Sequence, residues 1–179
     1  KGDRVIILLQ QDIRFIESFF ACQLAGFIAV PCYPPRLNDT HQQLNNVIHD
    51  CNPSLIITLS HLKHRLEPTH PKQHWLCLDT ASLTPPVSHW HPHSPSSNDV
   101  AFLQYTSGST STPKGVVVSH SNIMENQRMI HLAFGHPSKQ LIGVGWLPFY
   151  HDMGLIWSHM GPSPYGPMGP GPKKQRLCQ

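Results

Sequence analysis

One recurrence constrains this chain more than any other: short apolar runs separated by helix-like stretches. Val5-Ile6-Ile7-Leu8-Leu9 is unbroken and apolar, the pattern of a strand covered on both faces. A helix is expected next, with Asp12 as its N-cap and Gly26 near its end. Its apolar stripe is read as Ile13, Ile16, Phe20, Leu24 and Phe27, recurring at three- and four-residue spacing. Ile28-Ala29-Val30 then reads as a second strand, stopped by Pro31 and by Pro34-Pro35. Strand, short helix and strand in that order imply a parallel crossover unit.

The alternation continues down the chain. Thr40 and Gln43 fit a capping box opening a helix to about Cys51, with Leu44, Val47 and Ile48 as its buried stripe. Ser54 to Leu59 contains a buried strand, Leu55-Ile56-Ile57, and Trp75 to Leu78 reads as another. Leu83 to Asn98 is rich in Pro, Ser and His and reads as an exposed connection. Val100 to Tyr105 and Val116-Val117-Val118 are strand-like, and Ser121 caps a helix running to about Phe134. Leu141 to Leu147 returns as a strand, and Pro148 to Leu155 begins a loop and a further helix. The expected fold is α/β: an open, mostly parallel sheet with flanking helices, binding ligands at the carboxyl ends of its strands.

The pattern then stops. From Gly161 to Pro172 nearly every residue is Gly or Pro, without the strict triplet of collagen. Such a stretch cannot bury surface, so residues 157–179 are expected to be a disordered tail after a partial domain over residues 1–156. A change of reading frame near Trp157 would explain so abrupt a shift.

Composition narrows the function classes. The formal charge is only +3 and the basic residues are scattered, which gives nucleic-acid binding no support. No apolar run reaches the ~18 residues that span a bilayer, so no transmembrane segment is expected. Five cysteines without a Cys-x-x-Cys pair suggest reduced thiols and a cytoplasmic protein.

Between the two strands that flank it, one stretch is unlike the rest: Thr106-Ser107-Gly108-Ser109-Thr110-Ser111-Thr112-Pro113-Lys114-Gly115. From Thr106 to Thr112 every side chain except Gly108 is a hydroxyl, and a lysine follows. Short donors, closely approachable backbone and one mobile cation are what a polyphosphate requires. A Walker loop is excluded, because Lys114 precedes Gly115 and no Ser or Thr follows directly. A serine-hydrolase site is excluded as well: no Gly-x-Ser-x-Gly elbow occurs, and Ser119-His120-Ser121 lies too near the loop.

This ten-residue stretch resembles the signature of the adenylate-forming enzymes. Three others narrow the resemblance to the fatty acyl-AMP ligases: Gly26 to Arg36, Phe102-Leu103-Gln104-Tyr105, and Trp146 to Leu155. The resemblance implies a ligase that joins a fatty acid to ATP with Mg²⁺, releases pyrophosphate, and passes the acyl group to an acyl carrier protein. It implies that Thr106, Ser107, Gly108, Ser109, Thr110, Ser111, Thr112 and Gly115 wrap the phosphates while Lys114 neutralises the leaving pyrophosphate. Family members usually carry Gly where Ser111 stands; a positive φ there would cost on the order of a kcal/mol. His151 matches the position where acyl pocket and nucleotide site meet, and its imidazole would orient the attacking carboxylate.

Plainer readings stand beside these. Asp152 reads best as the cap of the following helix, and Trp146, Phe149 and Tyr150 suit a core as well as an acyl pocket. His89, His91 and His93 alternate along one segment but lack Cys or carboxylate neighbours, so they read as a loop cluster and the metal ligands stay unassigned. An acyl-CoA synthetase, a peptide-synthetase adenylation domain and a non-catalytic remnant or binding module remain alternatives. The adenine site, the ribose-binding aspartate and the small carboxyl-terminal domain are expected beyond Ile156, so this chain alone is expected to make no acyl-adenylate.

Overall fold

A computed structural model describes residues 2–36, 40–82, 90–106, 113–134 and 146–159, with the side chains of Asp152 and of 157–159 excepted. The expected strand at Leu141 to Leu147 falls outside these residues apart from its end, and so does the whole Gly/Pro stretch from Gly161 to Pro172. Among the described residues the sheet has six strands: β1 (Arg4–Ile7), β2 (Ile28–Pro31), β3 (Leu55–Thr58), β4 (Trp75–Cys77), β5 (Val100–Thr106) and β6 (Lys114–Ser119). Their order across the sheet is β4-β3-β1-β2-β5-β6. All pairings are parallel except β5 with β6, which form an antiparallel hairpin at one edge. The mostly parallel sheet expected from the apolar runs is therefore present.

The helices lie on both faces of the sheet. α1 (Ile13–Ala25), α4 (His120–Phe134) and α5 (Asp152–His159) cover one face, and α2 (Gln42–Cys51) covers the other, with α3 (Ser60–Leu66) nearby. The period of two in the strands explains this. Val5 and Ile7 join the core beneath α1, whereas Ile6 and Leu8 join the one beneath α2.

Four local expectations are corrected. Ser121 lies inside α4, and Ser119 stands before the helix with its Oγ accepting from the Asn122 amide at 3.2 Å. Asp152 is the first residue of α5 rather than its cap. In α1 the buried residues are Phe15, Ser18, Phe19, Cys22 and Gln23, while Ile13 is 50% exposed and Leu24 38%. The helix is apolar around much of its circumference, so spacing alone leaves two stripes to choose from. Ring packing decides between them: Phe19 meets Phe102 edge-on at 5.8 Å and Phe15 meets Phe149 at 6.1 Å. In α2 the capping box does not form. The helix starts at Gln42, and His41 occupies the cap position with φ 59° and no side-chain cap bond. Thr40 thus stands one residue too early to reach an orphan N–H.

Other local readings agree. Asp12 caps α1, its Oδ1 accepting from the Arg14 amide at 2.9 Å. Gly26 ends α1 at φ 73°, and Leu44, Val47 and Ile48 are buried under α2 together with Cys51. Position 26 also needs a small residue, because a Cβ there would stand 2.9 Å from the His93 ring.

Chain direction places the ligand-binding end. From β2 the chain crosses back over β1 to reach β3, whereas from β5 it turns outward into β6. The connections after these two neighbouring strands diverge, leaving a crevice at their carboxyl ends.

Candidate functional site

A cleft of about 260 Å³ occupies that crevice. The end of β2 and the segment after it contribute Pro31, Cys32, Tyr33 and Pro35; the end of β5 contributes Gln104, Tyr105 and Thr106. α2 and its approach supply His41, Gln43, Leu44 and Val47, and the turn before α5 supplies Tyr150 and His151. Each of the three stretches carrying the narrower family resemblance thus sends residues into one cleft.

The end of β5 is lashed from both faces. Gln104 points to the α1 face and donates through Nε2 to the Tyr150 carbonyl at 3.0 Å. Tyr105 points to the α2 face, where its hydroxyl donates to Asp50 Oδ2. Burial and that hydrogen bond push the Tyr105 phenol well above its ordinary value, so it remains a donor at any physiological pH. These anchors fix the point from which the hydroxyl-rich stretch departs.

The hairpin register fixes where it returns. Thr106 pairs with Lys114 and Tyr105 with Gly115, so the stretch leaves β5 at Thr106 and re-enters β6 at Lys114. Thr106 and Lys114 are exposed at the base of this connection. Gly115 serves the fold in a definite way: a Cβ there would lie 2.9 Å from the Tyr105 ring. Expected binding residues Ser107, Gly108, Ser109, Thr110, Ser111 and Thr112 lie outside the described residues.

The turn bearing His151 is built by close backbone packing. The His151 amide donates to the Pro148 carbonyl at 3.1 Å, and its own carbonyl accepts from Leu155 at 2.8 Å, opening α5. A Cβ at Gly154 would stand 2.1 Å from the Pro148 oxygen, so the turn can fold onto the helix only over glycine. His151 is exposed at the cleft, and Tyr150 meets Tyr33 edge-to-face at 4.9 Å. Burial, with Tyr33 as a further cause, raises the Tyr150 phenol above its ordinary value. Among the candidate pocket aromatics, Phe149 packs on the core, Tyr150 also lines the cleft, and Trp146 is 84% exposed.

The structure therefore brings Thr106 and His151 into one cleft and places Lys114 opposite Thr106. Sequence reasoning assigned no role to Gln104, Tyr33 or Asp50. For Gln104 a signal was present: it is a polar residue at an inward position of a strand whose other inward positions are apolar.

Among the described residues, no three His, Cys, Asp or Glu side chains gather to hold a metal ion. His93 instead lies over Gly26 and pairs with Asp99 at 3.4 Å; His89 lies outside the described residues. Cys22, Cys32, Cys51 and Cys77 are free thiols. Burial pushes Cys22 up to about 12 and Cys51 up to about 11, so neither is a ready nucleophile. No helix among the described residues is long and apolar enough to cross a membrane.

Comparison with known proteins agrees with this geometry. The chain is 34% identical over 168 residues to a long-chain-fatty-acid–AMP ligase of Mycolicibacterium smegmatis, covering 90% of this chain and 26% of that protein. It is 31% identical over 200 residues to a medium-chain-fatty-acid–[acyl-carrier-protein] ligase of Teredinibacter turnerae, covering 88% and 31%. The crystal structure of a fatty acyl-adenylate ligase from L. pneumophila, in complex with acyl adenylate and pyrophosphate, superposes with a TM-score of 0.74 at 38% identity, covering 87% of this chain and 27% of that one. The chain thus spans between a quarter and a third of the length of these relatives. The AMP-binding enzyme family matches residues 1–166, and the chain belongs to that family.

Proposed function

We propose that this chain is part of the large amino-terminal domain of a ligase that activates a fatty acid with ATP and delivers it to an acyl carrier protein. The observation carrying the proposal is the cleft itself. It combines an aromatic wall, Tyr33 against Tyr150, with a polar rim formed by Thr106 and His151. One side suits an apolar chain and the other suits a carboxylate and phosphates. The names of the relatives supply the substrate and the acceptor.

In the proposed reaction a carboxylate oxygen bonds to the α-phosphorus of ATP while the bond to the bridging oxygen breaks and pyrophosphate leaves. His151 orients the carboxylate by hydrogen bonding at the cleft. Thr106 with Ser107, Gly108, Ser109, Thr110, Ser111, Thr112 and Gly115 holds the phosphates, and Lys114 balances the charge gathering on pyrophosphate. Chemically, the exposed hydroxyl of Thr106 and the ammonium of Lys114 suit phosphate oxygens. Mg²⁺ belongs to the proposal as the ion accompanying ATP, neutralising charge on the phosphates when bound. A cytoplasmic location fits the free thiols, and residues 1–156 are read as the domain portion.

Two measurements test the proposal. Decanoate titrated into the labelled chain should shift the Tyr33, Tyr150 and His151 resonances saturably, whereas phenylalanine should not. Phenylalanine shifting them in place of decanoate would overturn the fatty-acid reading. The isolated chain should show no fatty-acid-dependent ATP–pyrophosphate exchange; exchange above a Lys114→Ala control would show it to be competent alone.

A further inference from the structure

β5 alternates its side chains between the two cores. Phe102 joins the core under α1, while Leu103 and Tyr105 pack on the core under α2. The next position on the Phe102 face is Gln104, only 7% exposed, where a strand of this kind ordinarily places an apolar residue. The Tyr150 carbonyl can only accept, so the amide must turn Nε2 toward it. That orientation leaves Gln104 Oε1 buried and, among the described residues, without a hydrogen-bond partner. An orphaned amide oxygen is a standing penalty that a methionine of similar length would avoid.

Gln23 and Gln127 make the same bond elsewhere. Gln23 donates to Ala101 and Gln127 to Ile156, each at 2.9 Å and each with a buried, unpartnered Oε1. Their bonds join α1 to β5 and α4 to α5. Gln104 alone of the three lines the cleft. Its bond ties the turn carrying Tyr150 and His151 to the strand from which the hydroxyl-rich stretch departs. Other supports of the turn act from other directions: Phe149 rests on Phe15, and Gln11 Nε2 donates to the Leu147 carbonyl at 3.3 Å.

We propose that Gln104 is a positioning residue, holding the Tyr150 carbonyl so that the Tyr150 ring closes on Tyr33 and His151 stands at the cleft. It acts through the backbone of Tyr150 and touches no reacting atom. The inference rests on the fatty-acid reading of the cleft for its consequence, though not for its geometry.

The test uses the full 179-residue chain with Gln104→Met, and with Gln23→Met as the control that loses the same kind of bond away from the cleft. Gln104→Met should keep the cooperative thermal melt, change the Tyr33, Tyr150 and His151 ring resonances, and weaken decanoate binding about tenfold. Gln23→Met should leave these ring resonances and decanoate affinity as they are. Unchanged signals in Gln104→Met, or the same losses in Gln23→Met, would overturn the proposal. Should Gln104→Met fail to fold, the unsubstituted chain decides by a through-hydrogen-bond coupling between Gln104 Nε2 and the Tyr150 carbonyl carbon, whose absence also overturns it. If decanoate binds no form of the chain, the fatty-acid reading fails while the ring and imidazole signals still judge Gln104.

Discussion

The two halves of the sheet are stabilised in different ways. In β1, β2 and β3 the side chains of Ile6, Ile7, Val30 and Ile56 are fully buried, sandwiched between α1 and α2. At the other edge β6 leaves Val116 half and Val117 more than half exposed, and α4 buries only Ile123 and Gln127 among its described residues. The second half joins the first through the pairing of β2 with β5 and through Phe102 on Phe19. Directed contacts are added to this: Gln23 to Ala101 and Phe15 on Phe149 across the junction, Gln104 to Tyr150 within the second half. Apolar burial builds the scaffold; directed bonds set the cleft wall. The distinction matters because apolar packing tolerates small displacements, whereas a hydrogen bond and a ring contact fix one geometry.

The largest expected effect strikes the scaffold. Phe19→Ala removes a ring 1% exposed that contacts Phe20 and Phe102, and should destabilise the chain by about 3–5 kcal/mol. A urea midpoint scarcely moved would mean that the parallel half is not the main store of stability.

The second separates the halves. Gly154→Ala pushes a methyl into the Pro148 carbonyl and should cost about 1–3 kcal/mol. Amide exchange should quicken at Leu155 while Ile6, Val30 and Ile56 keep their protection. Equal quickening everywhere would show that the halves unfold as one unit. A smaller loss, about 1 kcal/mol, is expected for Asp12→Ala, which removes the acceptor for the Arg14 amide at the start of α1. Thermal denaturation against Asp12→Asn, which keeps an acceptor, would isolate the cap.

The smallest effect is a pH dependence shared by both halves. Burial holds His70 and His120 below the ordinary histidine value, with His41 and His93 respectively reinforcing the shift and Asp99 opposing it at His120. The unfolded chain therefore takes up these protons first. Stability from these groups is fully present above about pH 6.5 and is lost as pH falls through their lower folded values. Urea midpoints from pH 7 to pH 5 should decline, and His70→Gln with His120→Gln should flatten that slope. An unaltered slope would assign the dependence to other groups.

Much of this architecture was legible because it is local. Continuous apolar runs marked the buried strands, Asp12 and Gly26 marked the two ends of α1, and the hydroxyl-rich stretch with Lys114 is where the proposed phosphate contacts fall. The capping box at Thr40 misled because a one-residue shift in where a helix starts is settled by the incoming chain, here turned at His41, and not by the motif. Gln104 could be flagged as an odd residue in a strand, but its partner is a carbonyl 46 positions away.

By itself, then, the sequence determined the alternation of strands and helices, the chemistry of the stretch from Thr106 to Gly115, and the family resemblance. These follow from residue types and spacings along a few turns of chain. Tertiary structure decided which stripe of α1 is buried, which strand became the antiparallel edge, and that Tyr33, Thr106 and His151 share one cleft. Those outcomes depend on rings, carbonyls and strand ends distant in sequence competing for the same space. Phe19 against Phe102, Gly154 beneath Pro148 and Gln104 on Tyr150 are where that competition was resolved.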